Sequence, residues 1–312
     1  MDKYYCTTDS EKKQEKILKK IAIKKAENKK IIQILVDLAP KIGERDYEKY
    51  LLENCATVVG LVNDNGIIRI ATSNFCRKRI CAVCAWRRQV RFVTQMKPVL
   101  DVISNDYDLI FVTLTVKNCK CNDVKSNIDT LLNGFRGLTR LTRVKKAWKG
   151  MVRSIEVTYD PEKSGKEYHP HIHALIAVEK DYWHSKDYIT QKELCRLWQN
   201  VASLEYLPVC HIERVEQNQA NKEKAALEVM KYALKPTTLT AEVVETFITS
   251  MAGRRLISFT GVIAKARKEL KQLDYDTYLT DKEEMTKNKY QGTLYKFDPT
   301  GGLYKYYKSV EF

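Results

Sequence analysis

The sequence predicts an α+β fold in which an antiparallel sheet follows a helical N-terminal extension and a small cysteine-rich module. Three observations predict it: an N-terminal segment whose apolar residues recur with a helical period, a tight cluster of cysteines, and three strand-like segments that alternate polar and apolar residues. The chain has 312 residues, of which 44% are hydrophobic. That content suits a folded core and is too high for a disordered chain.

Charge and cysteine content narrow the classes of protein that fit. Lys and Arg number 54 against 39 Asp and Glu, a net charge of +15, which favours a polyanionic partner, although solubility alone also explains it. The apolar runs are shorter than a membrane span, and the N-terminus does not resemble a signal peptide. Nine cysteines, an odd number, fit a reduced compartment better than a secreted disulfide scaffold. We therefore expect a cytoplasmic protein with no membrane partner.

Residues 1–50 are predicted to form a basic helical extension. Nine lysines and three glutamates lie between Glu11 and Lys30, and apolar residues recur at helical spacing as far as Pro40, which is predicted to end the helix. A lysine-rich helix face either lies along the phosphates of a partner or is simply solvated. Both readings stay open.

Residues 51–92 are predicted to form a small zinc-binding module. Two short strand-like pieces flank an Asn-Gly turn, and a C-x4-C-x2-C cluster follows. The two-residue gap suits a tight knuckle that directs two sulfurs at one tetrahedral Zn²⁺ ion, about 2.3 Å from each. The clustered cysteines are Cys76, Cys81 and Cys84. Cys55 is the best candidate for the fourth ligand because it precedes the same hairpin, and Cys119 and Cys121 are second choices.

Residues 105–260 contain three strand-like segments that each have one polar and one apolar face. The segments are residues 110–116, 151–158 and 171–178. Because side chains alternate between the two faces of a strand, this pattern predicts an antiparallel sheet with the core on one side and a site on the other. A turn at residues 159–165 would fold the second strand back onto the third. Helices are predicted near residues 90–103, 124–146, 191–204, 221–235 and 262–273.

The segment YHPHIHALIAV, residues 168–178, carries a predicted metal site. His171 and His173 project from one face about 6.6 Å apart, at 3.3 Å per residue, and can share one divalent cation. The turn before this strand would bring Glu156 to the pair. One carboxylate with two imidazoles suits Mn²⁺ or Mg²⁺ and leaves positions open for phosphate oxygens. His169 is the alternative third ligand, and a purely structural role for the pair is the alternative to a metal.

Residues 221–235 read NKEKAALEVMKYALK and are predicted to form a helix with a chemically useful face. Glu228, Tyr232 and Lys235 follow one another at steps of four and three residues, so they share one side of the helix. A phenol with a pKa near 10 is a poor nucleophile, and a nearby cation such as Lys235 would favour its phenolate. Glu228 could act as a general base. Such a face is also common on solvated helices. The apolar stripe is predicted to be Leu227, Met230 and Leu234.

Four motifs together resemble one known family. CRKRICAVC, FVTLTV, HPHIHALIAV and EVMKYALKP occur in that order, and they resemble the zinc knuckle and three motifs of rolling-circle replication initiators of the small Gram-positive plasmid type. These initiators belong to the His-hydrophobe-His (HUH) endonuclease superfamily. The resemblance covers roughly residues 55–260, and the order and spacing of the motifs make it specific.

The resemblance implies a fold, a reaction and partners. The fold would be a ferredoxin-like core with a five-stranded antiparallel sheet. Tyr232 would be the nucleophile that nicks single-stranded or hairpin origin DNA, leaving a 5′-phosphotyrosine link and a 3′-OH primer. His171 and His173 would bind the metal, and Glu228 would activate the terminating attack. A host helicase and a DNA polymerase would act with the protein, since the chain has no Walker loop.

Two other functions stay open. A relaxase or single-strand transposase of a mobile element would use the same strand and tyrosine, and a non-catalytic, zinc-stabilised DNA-binding regulator would use only the module. The predicted regions are thus an extension at residues 1–50, a zinc module at 51–92, an endonuclease domain at 105–260 and a basic helical and aromatic tail at 261–312. The sequence leaves oligomerisation open.

Overall fold

The computed structural model describes residues 9–42, 46–159, 161–162, 165, 167–230, 239–271 and 290–312. The helices are α1 (Asp9–Ile42), α2 (Asp46–Asn54), α3 (Ala82–Asp106), α4 (Val124–Leu138), α5 (Thr142–Ala147), α6 (Gln191–Val201), α7 (Gln219–Val229), α8 (Ala241–Met251) and α9 (Gly261–Lys271). The strands are β1 (Val58–Asp64), β2 (Ile67–Ser73), β3 (Tyr107–Thr115), β4 (Gly150–Tyr159), β5 (Tyr168–Glu179), β6 (Cys210–Val215), β7 (Ile257–Thr260), β8 (Gln291–Asp298) and β9 (Leu303–Glu311). The chain is α+β, as the sequence predicts. It forms two compact units: the first is Met1–Thr94 with Asp276–Phe312, and the second is Gln95–Tyr275.

The first unit contains a four-stranded antiparallel sheet in the order β2-β1-β8-β9. β1 and β2 form the expected hairpin, and its turn residues Asn65 and Gly66 both have positive φ, 51° and 84°, as a tight two-residue turn requires. β1 also pairs with β8, so that Val59 lies opposite Tyr295. The segment 261–312, which the sequence groups as one tail, is therefore divided. Its helix α9 belongs to the second unit, and its strands β8 and β9 complete the sheet of the first.

Helix α1 packs against α2, β2 and β9. Its buried apolar side chains are Leu18, Ile21, Ala22, Ile31, Leu35 and Leu38. Its exposed lysines are Lys12, Lys13, Lys16, Lys19, Lys20, Lys29 and Lys30. The predicted phosphate-binding role of these lysines stays a prediction. The prediction that Pro40 ends the helix is wrong, because α1 continues to Ile42; the fixed φ of proline suits a helix, and near its end only one N–H is lost.

The second unit contains a five-stranded antiparallel sheet in the order β6-β3-β5-β4-β7. Helix α4 packs against β5, α6 and α8. The guanidinium of Arg153, on β4, lies 5.9 Å from the ring centroid of Phe135, on α4. Helix α4 therefore covers the sheet face to which Arg153 points. Glu156, three residues further along β4, points to the opposite face because side chains alternate along a strand.

Both faces of strands β4 and β5 are covered, including the face that carries the predicted site. Residues 150–157 of β4 and 170–178 of β5 are all buried. Helix α7 contacts β4, β5 and β6, so helices cover more of this sheet than the alternation of residues predicts. The polar side chains of the site are thus enclosed, and their polar atoms need partners within the protein.

Two further features concern the helices. The single helix predicted at residues 124–146 is two helices, α4 and α5, because Leu141 between them has an extended backbone with ψ of 131°. Within the described ranges, no helix combines the length and the apolar character that crossing a membrane requires.

Candidate metal centres

Strand register in the second unit places the predicted metal ligands side by side. In the antiparallel pairs of β5, His171 lies opposite Glu156 of β4 and opposite Thr115 of β3. His173 lies opposite Thr113 of β3. Directly paired residues point to the same face of a sheet. The carboxylate and the two imidazoles therefore come together on the face opposite α4.

The ligand atoms of this group are spaced as a single cation requires. Nε2 of His171 and Nε2 of His173 are 3.0 Å apart, and Oε2 of Glu156 is 3.2 Å from the first and 3.1 Å from the second. Ligands about 2.1 Å from one ion at right angles to each other are about 3.0 Å apart. All three side chains are buried. The group thus fits a six-coordinate divalent cation, and we call it the Glu-His-His cluster.

The outer nitrogens of both imidazoles are also bonded. Nδ1 of His173 is 3.1 Å from Oγ1 of Thr113, and Nδ1 of His171 is 3.0 Å from the carbonyl oxygen of His169. A carbonyl only accepts, so Nδ1 of His171 is the donor in that bond, and Nε2 of the same ring faces the cluster. Hydrogen bonds of this kind orient metal-binding histidines.

The carboxylate of the cluster is ionised at neutral pH. Burial raises the pKa of Glu156, but hydrogen bonds and charge from His171 and His173 outweigh it and bring this pKa down to about 2. This buried negative charge beside two imidazoles would stabilise a cation bound between them.

The alternative ligand His169 lies outside the Glu-His-His cluster. Its Nδ1 is 2.7 Å from Oδ1 of Asn118, and its ring stacks on that of His171 with centroids 5.0 Å apart. It shares the strand face of the pair, as predicted, but Glu156 is the residue whose oxygen reaches both imidazoles.

The predicted catalytic face is described only in part. Helix α7 contacts β5 and carries Glu228, which is half-buried. Tyr232 and Lys235 lie outside the described residues, so their place beside Glu228 stays a prediction.

The predicted apolar stripe of this helix is wrong at Leu227, and Met230 is half-buried at the end of the helix. Leu227 is 43% exposed, and Leu234 lies outside the described residues. The buried side chains of α7 are Lys222, Ala225, Ala226 and Val229. Lys222 is held by Asp101, with Nζ 2.5 Å from Oδ1. Small alanines allow the helix to approach the sheet closely, and the buried stripe, which includes a paired lysine, is rotated from the predicted one by about a third of a turn.

The first unit contains the predicted cysteine cluster with all four members. Cys55, Cys76, Cys81 and Cys84 have their sulfurs within 4.8 Å of one another. Sγ of Cys55 is 3.5 Å from Sγ of both Cys81 and Cys84, and Sγ of Cys76 is 3.6 Å from that of Cys84. Four sulfurs about 2.3 Å from one Zn²⁺ ion would be about 3.8 Å apart. The donor set and its spacing therefore fit structural zinc. Cys119 and Cys121 belong to the second unit.

Polar groups around the cluster point at its sulfurs. The backbone N–H of Arg77 donates to Sγ of Cys84 at 3.2 Å. The side-chain amide of Asn28 donates to Sγ of Cys81 at 3.2 Å and accepts from the N–H of Ala82, the first residue of α3, at 2.7 Å. Hydrogen bonds among the four thiols lower the pKa of Cys81 and raise that of Cys55. The N–H donors of Arg77 and Asn28 favour the thiolate form of the sulfurs that they contact.

A buried lysine of α1 also supports this cluster. Lys25 is only 6% exposed, and its Nζ donates to the carbonyl oxygens of Cys55 (2.6 Å) and Glu53 (3.2 Å). It lies 4.8 Å from the ring centroid of Phe297. Burial lowers the pKa of Lys25, and the negative charge of the nearby thiolates opposes that effect. A positive charge here offsets the excess negative charge of four thiolates around one divalent ion.

Sequence reasoning missed Lys25 and Asn28, although the sequence carries a signal for both. They fall between Ile21 and Ile31 at steps of four, three and three residues, on the apolar face of α1. A lysine and an asparagine on a buried helix face need polar partners. The helix was interpreted only by its exposed lysines.

Comparison with known proteins identifies the family to which this chain belongs. The fold and the two clusters define an α+β protein with two candidate metal-binding sites. Residues 67–304 match the replication protein family Rep_1. A Protein rep from a Bacillus species is 33% identical over 262 residues, covering 75% of this chain and 84% of the relative. A Protein rep from Streptococcus pneumoniae is 30% identical over 245 residues, covering 76% of each chain.

The chain therefore belongs to the Rep_1 family of replication proteins. This confirms the family resemblance drawn from the four motifs. No solved structure matches the chain.

Proposed function

We propose that this replication protein initiates rolling-circle replication by nicking one strand of its origin through a covalent tyrosine link. The observation that carries the proposal is the Glu-His-His cluster on paired strands of an antiparallel sheet. The order β3, helix, β4, β5, α6, β6 along the chain follows the β-α-β-β-α-β arrangement of ferredoxin-like folds. That order supports an HUH endonuclease core.

The side chains of the cluster would hold the catalytic cation. Glu156, His171 and His173 would bind Mn²⁺ or Mg²⁺, whose charge would polarise the scissile phosphate. Glu156 supplies the negative charge, and the bonds to Thr113 and to the His169 carbonyl fix the two rings.

Tyr232 is the proposed nucleophile. Its oxygen attacks the scissile phosphorus in line, a bond from that oxygen to the 5′ phosphate forms, and the bond to the 3′ oxygen breaks. The tyrosine loses its proton, and the departing 3′ oxygen gains one to become the primer hydroxyl. One phosphoester replaces another, so no ATP is needed. A positive charge from Lys235 near the tyrosine would favour the phenolate.

Glu228 acts later in this proposal. The link ends when water or a hydroxyl attacks the phosphotyrosine, and that nucleophile must lose a proton, which Glu228 can accept. A host helicase would separate the strands, and a host polymerase would extend the 3′-OH. The cysteine cluster would hold a structural Zn²⁺ ion that stabilises the first unit.

Covalent adduct formation tests the proposal. The protein is incubated with Mn²⁺ and a labelled library of single-stranded oligonucleotides, and DNA that stays with the chain after denaturation is measured. Tyr232→Phe should remove the adduct with folding unchanged. His171→Ala or His173→Ala should lower nicking by at least about 100-fold, and DNA affinity should change little because phosphate contacts supply most of it.

His184→Ala is the matched control, since His184 is exposed and belongs to neither metal cluster. Glu228→Gln should still form adduct but release it slowly. Nicking that survives both histidine substitutions would contradict the metal assignment. A parent protein that forms no adduct on any oligonucleotide would favour the non-catalytic regulator instead.

A further inference from the structure

The segment between α6 and β6 exposes apolar side chains to an unusual degree. Leu207 is 61% exposed and Val209 is 60% exposed. They lie two residues apart, on either side of the buried Pro208. Two adjacent exposed branched side chains on a loop mark a contact site more strongly than one alone.

The sheet places this segment on the same face as the Glu-His-His cluster. Cys210, the first residue of β6, is buried against Cys195 of α6, so its neighbours Val209 and His211 point to the opposite face. His211 lies opposite Thr113, which lies opposite His173. The start of β6 therefore lies on the same face of the sheet as the cluster, two strands away from β5.

A direct hydrogen bond fixes the distance. Oγ1 of Thr115 donates to the carbonyl oxygen of Val209 at 2.8 Å, and Thr115 lies opposite His171. Val209 is therefore two strand spacings from His171, or about 10 Å. A group bound on Val209 lies about three nucleotides from a phosphate at the cluster, given a rise of about 3.4 Å per nucleotide in a stacked strand.

An aromatic ring and a cation extend the apolar surface. The backbone N–H of Lys117 donates to the hydroxyl oxygen of Tyr206 at 2.6 Å, and Nζ of Lys117 lies 4.3 Å from the centroid of the same ring. Lys117 is exposed at the end of β3. Tyr206 is thus held in place by its hydroxyl, and its ring carries a positive charge on one side.

This combination suits an unpaired nucleobase. Bases of single strands stack on aromatic and apolar side chains while lysines contact the backbone, whereas bases inside a duplex are not available for such contact. The exposed carboxylates of Glu205 and Glu213 in the same part of the chain disfavour a phosphate on the apolar surface itself.

The geometry points to a base-binding ledge formed by Tyr206, Leu207 and Val209, which holds an unpaired base about three nucleotides from the scissile phosphate while Lys117 contacts the backbone. This inference rests on the proposed nicking function and adds a determinant of where the strand is cut. The base is recognised by stacking and apolar contact, so the ledge fixes the register of the strand over the cluster.

Abasic scanning tests the ledge. The probe is a single-stranded oligonucleotide that the full-length parent cuts with Mn²⁺, together with a set in which each nucleotide near the cut is made abasic in turn. Affinity is measured by fluorescence anisotropy in EDTA, so that no cutting occurs. The parent should lose about 5- to 100-fold in affinity at one position about three nucleotides from the cut.

The variant combines Leu207→Ser with Val209→Ser, and Val102→Ser on α3, another exposed apolar residue, is the control. The variant should bind the intact oligonucleotide more weakly by the same factor and should no longer respond to the abasic position. Tyr206→Phe keeps the ring but loses the hydroxyl contact to the N–H of Lys117, so its affinity should fall less than that of the double variant. If the double variant melts at a lower temperature than the parent, Tyr206→Ala replaces it.

Two outcomes separate the ledge from the nicking function. If the parent cuts DNA and the double variant has the same affinity and the same abasic profile as the parent, the ledge is wrong and the nicking function stands. Such a result would assign the apolar side chains to a protein partner. A parent that cuts no oligonucleotide overturns the function, and equal binding of parent and variant to oligo-dT would then overturn the ledge independently.

Discussion

The cysteine cluster and the Glu-His-His cluster differ in the number and kind of ligands that the chain supplies. The first has four soft thiolates, a full tetrahedral set, with N–H groups and a buried lysine around it. The second has three harder ligands, fewer than a six-coordinate ion takes. A complete set leaves no place for a substrate, whereas an incomplete one does. The two clusters should therefore respond differently when one ligand is removed.

The largest effect is expected from Cys81→Ser. Apparent binding energies of structural zinc are about 10–16 kcal/mol, and loss of one buried thiolate should remove the metal and unfold the first unit. Elemental analysis should show about one zinc per parent chain and almost none in the variant, and thermal unfolding should show the loss of structure. Cys121→Ser, at a half-buried cysteine outside the cluster, should keep both. Zinc-free parent protein, prepared without chelator, would contradict the zinc assignment.

Glu156→Gln should have the next largest effect and a different character. It keeps the size of the side chain but removes the negative charge, so Mn²⁺ affinity should fall about 100-fold or more while the melting temperature changes little. Isothermal titration with Mn²⁺ measures the affinity. Glu179→Gln, at the exposed end of β5, is the control. If Glu156→Gln binds Mn²⁺ as the parent does, His169 becomes the third ligand.

Thr113→Val should weaken the same cation by a smaller factor. Valine has the shape of threonine but loses the hydroxyl that contacts Nδ1 of His173, and loss of such an outer bond costs about 10- to 100-fold in metal affinity. Thr113→Ser restores the hydroxyl and should recover most of the affinity. Equal affinities for the valine and serine variants would show that the hydroxyl does not orient the imidazole.

Asn28→Ala should have the smallest effect of the four. It removes the bond to Sγ of Cys81 and leaves the N–H of Ala82 without its side-chain acceptor, at a cost of about 1–3 kcal/mol in the free energy of unfolding. Denaturant unfolding measures this cost, and zinc should remain bound. Gln33→Ala, at an exposed position of the same helix, should cost much less. A loss of zinc equal to that of Cys81→Ser would mean that the amide is as necessary as a ligand.

How far each cluster follows from the sequence depends on how local its contacts are. Alternation within β5 was enough to pair His171 with His173, and a short connection to β4 was enough to bring Glu156 to them. The spacing of three cysteines predicted the knuckle because its geometry is set within nine residues. These parts rest on periodicity and short loops, which a single sequence records directly.

The remaining features depend on contacts between distant parts of the chain. Nothing local shows that β8 pairs with β1, or that α1 packs so that Lys25 and Asn28 reach the cysteines. The buried stripe of α7 was misassigned because alanines and a lysine paired with Asp101 occupy the packed side. In each case the packing depends on a part of the same chain that is distant in sequence.

The pairing of β1 with β8 has a consequence for synthesis on the ribosome. β1 lies inside its sheet, but β8 begins only at Gln291. At about 5–20 residues per second, roughly 10–50 s separate the synthesis of the two strands. The four cysteines and α1 precede β3, so the thiolates can take up their metal early in that interval. One edge of β1 meanwhile has no neighbouring strand and can recruit a strand from another chain. A chain terminated before β8 would keep that edge and become a target for aggregation or proteolysis.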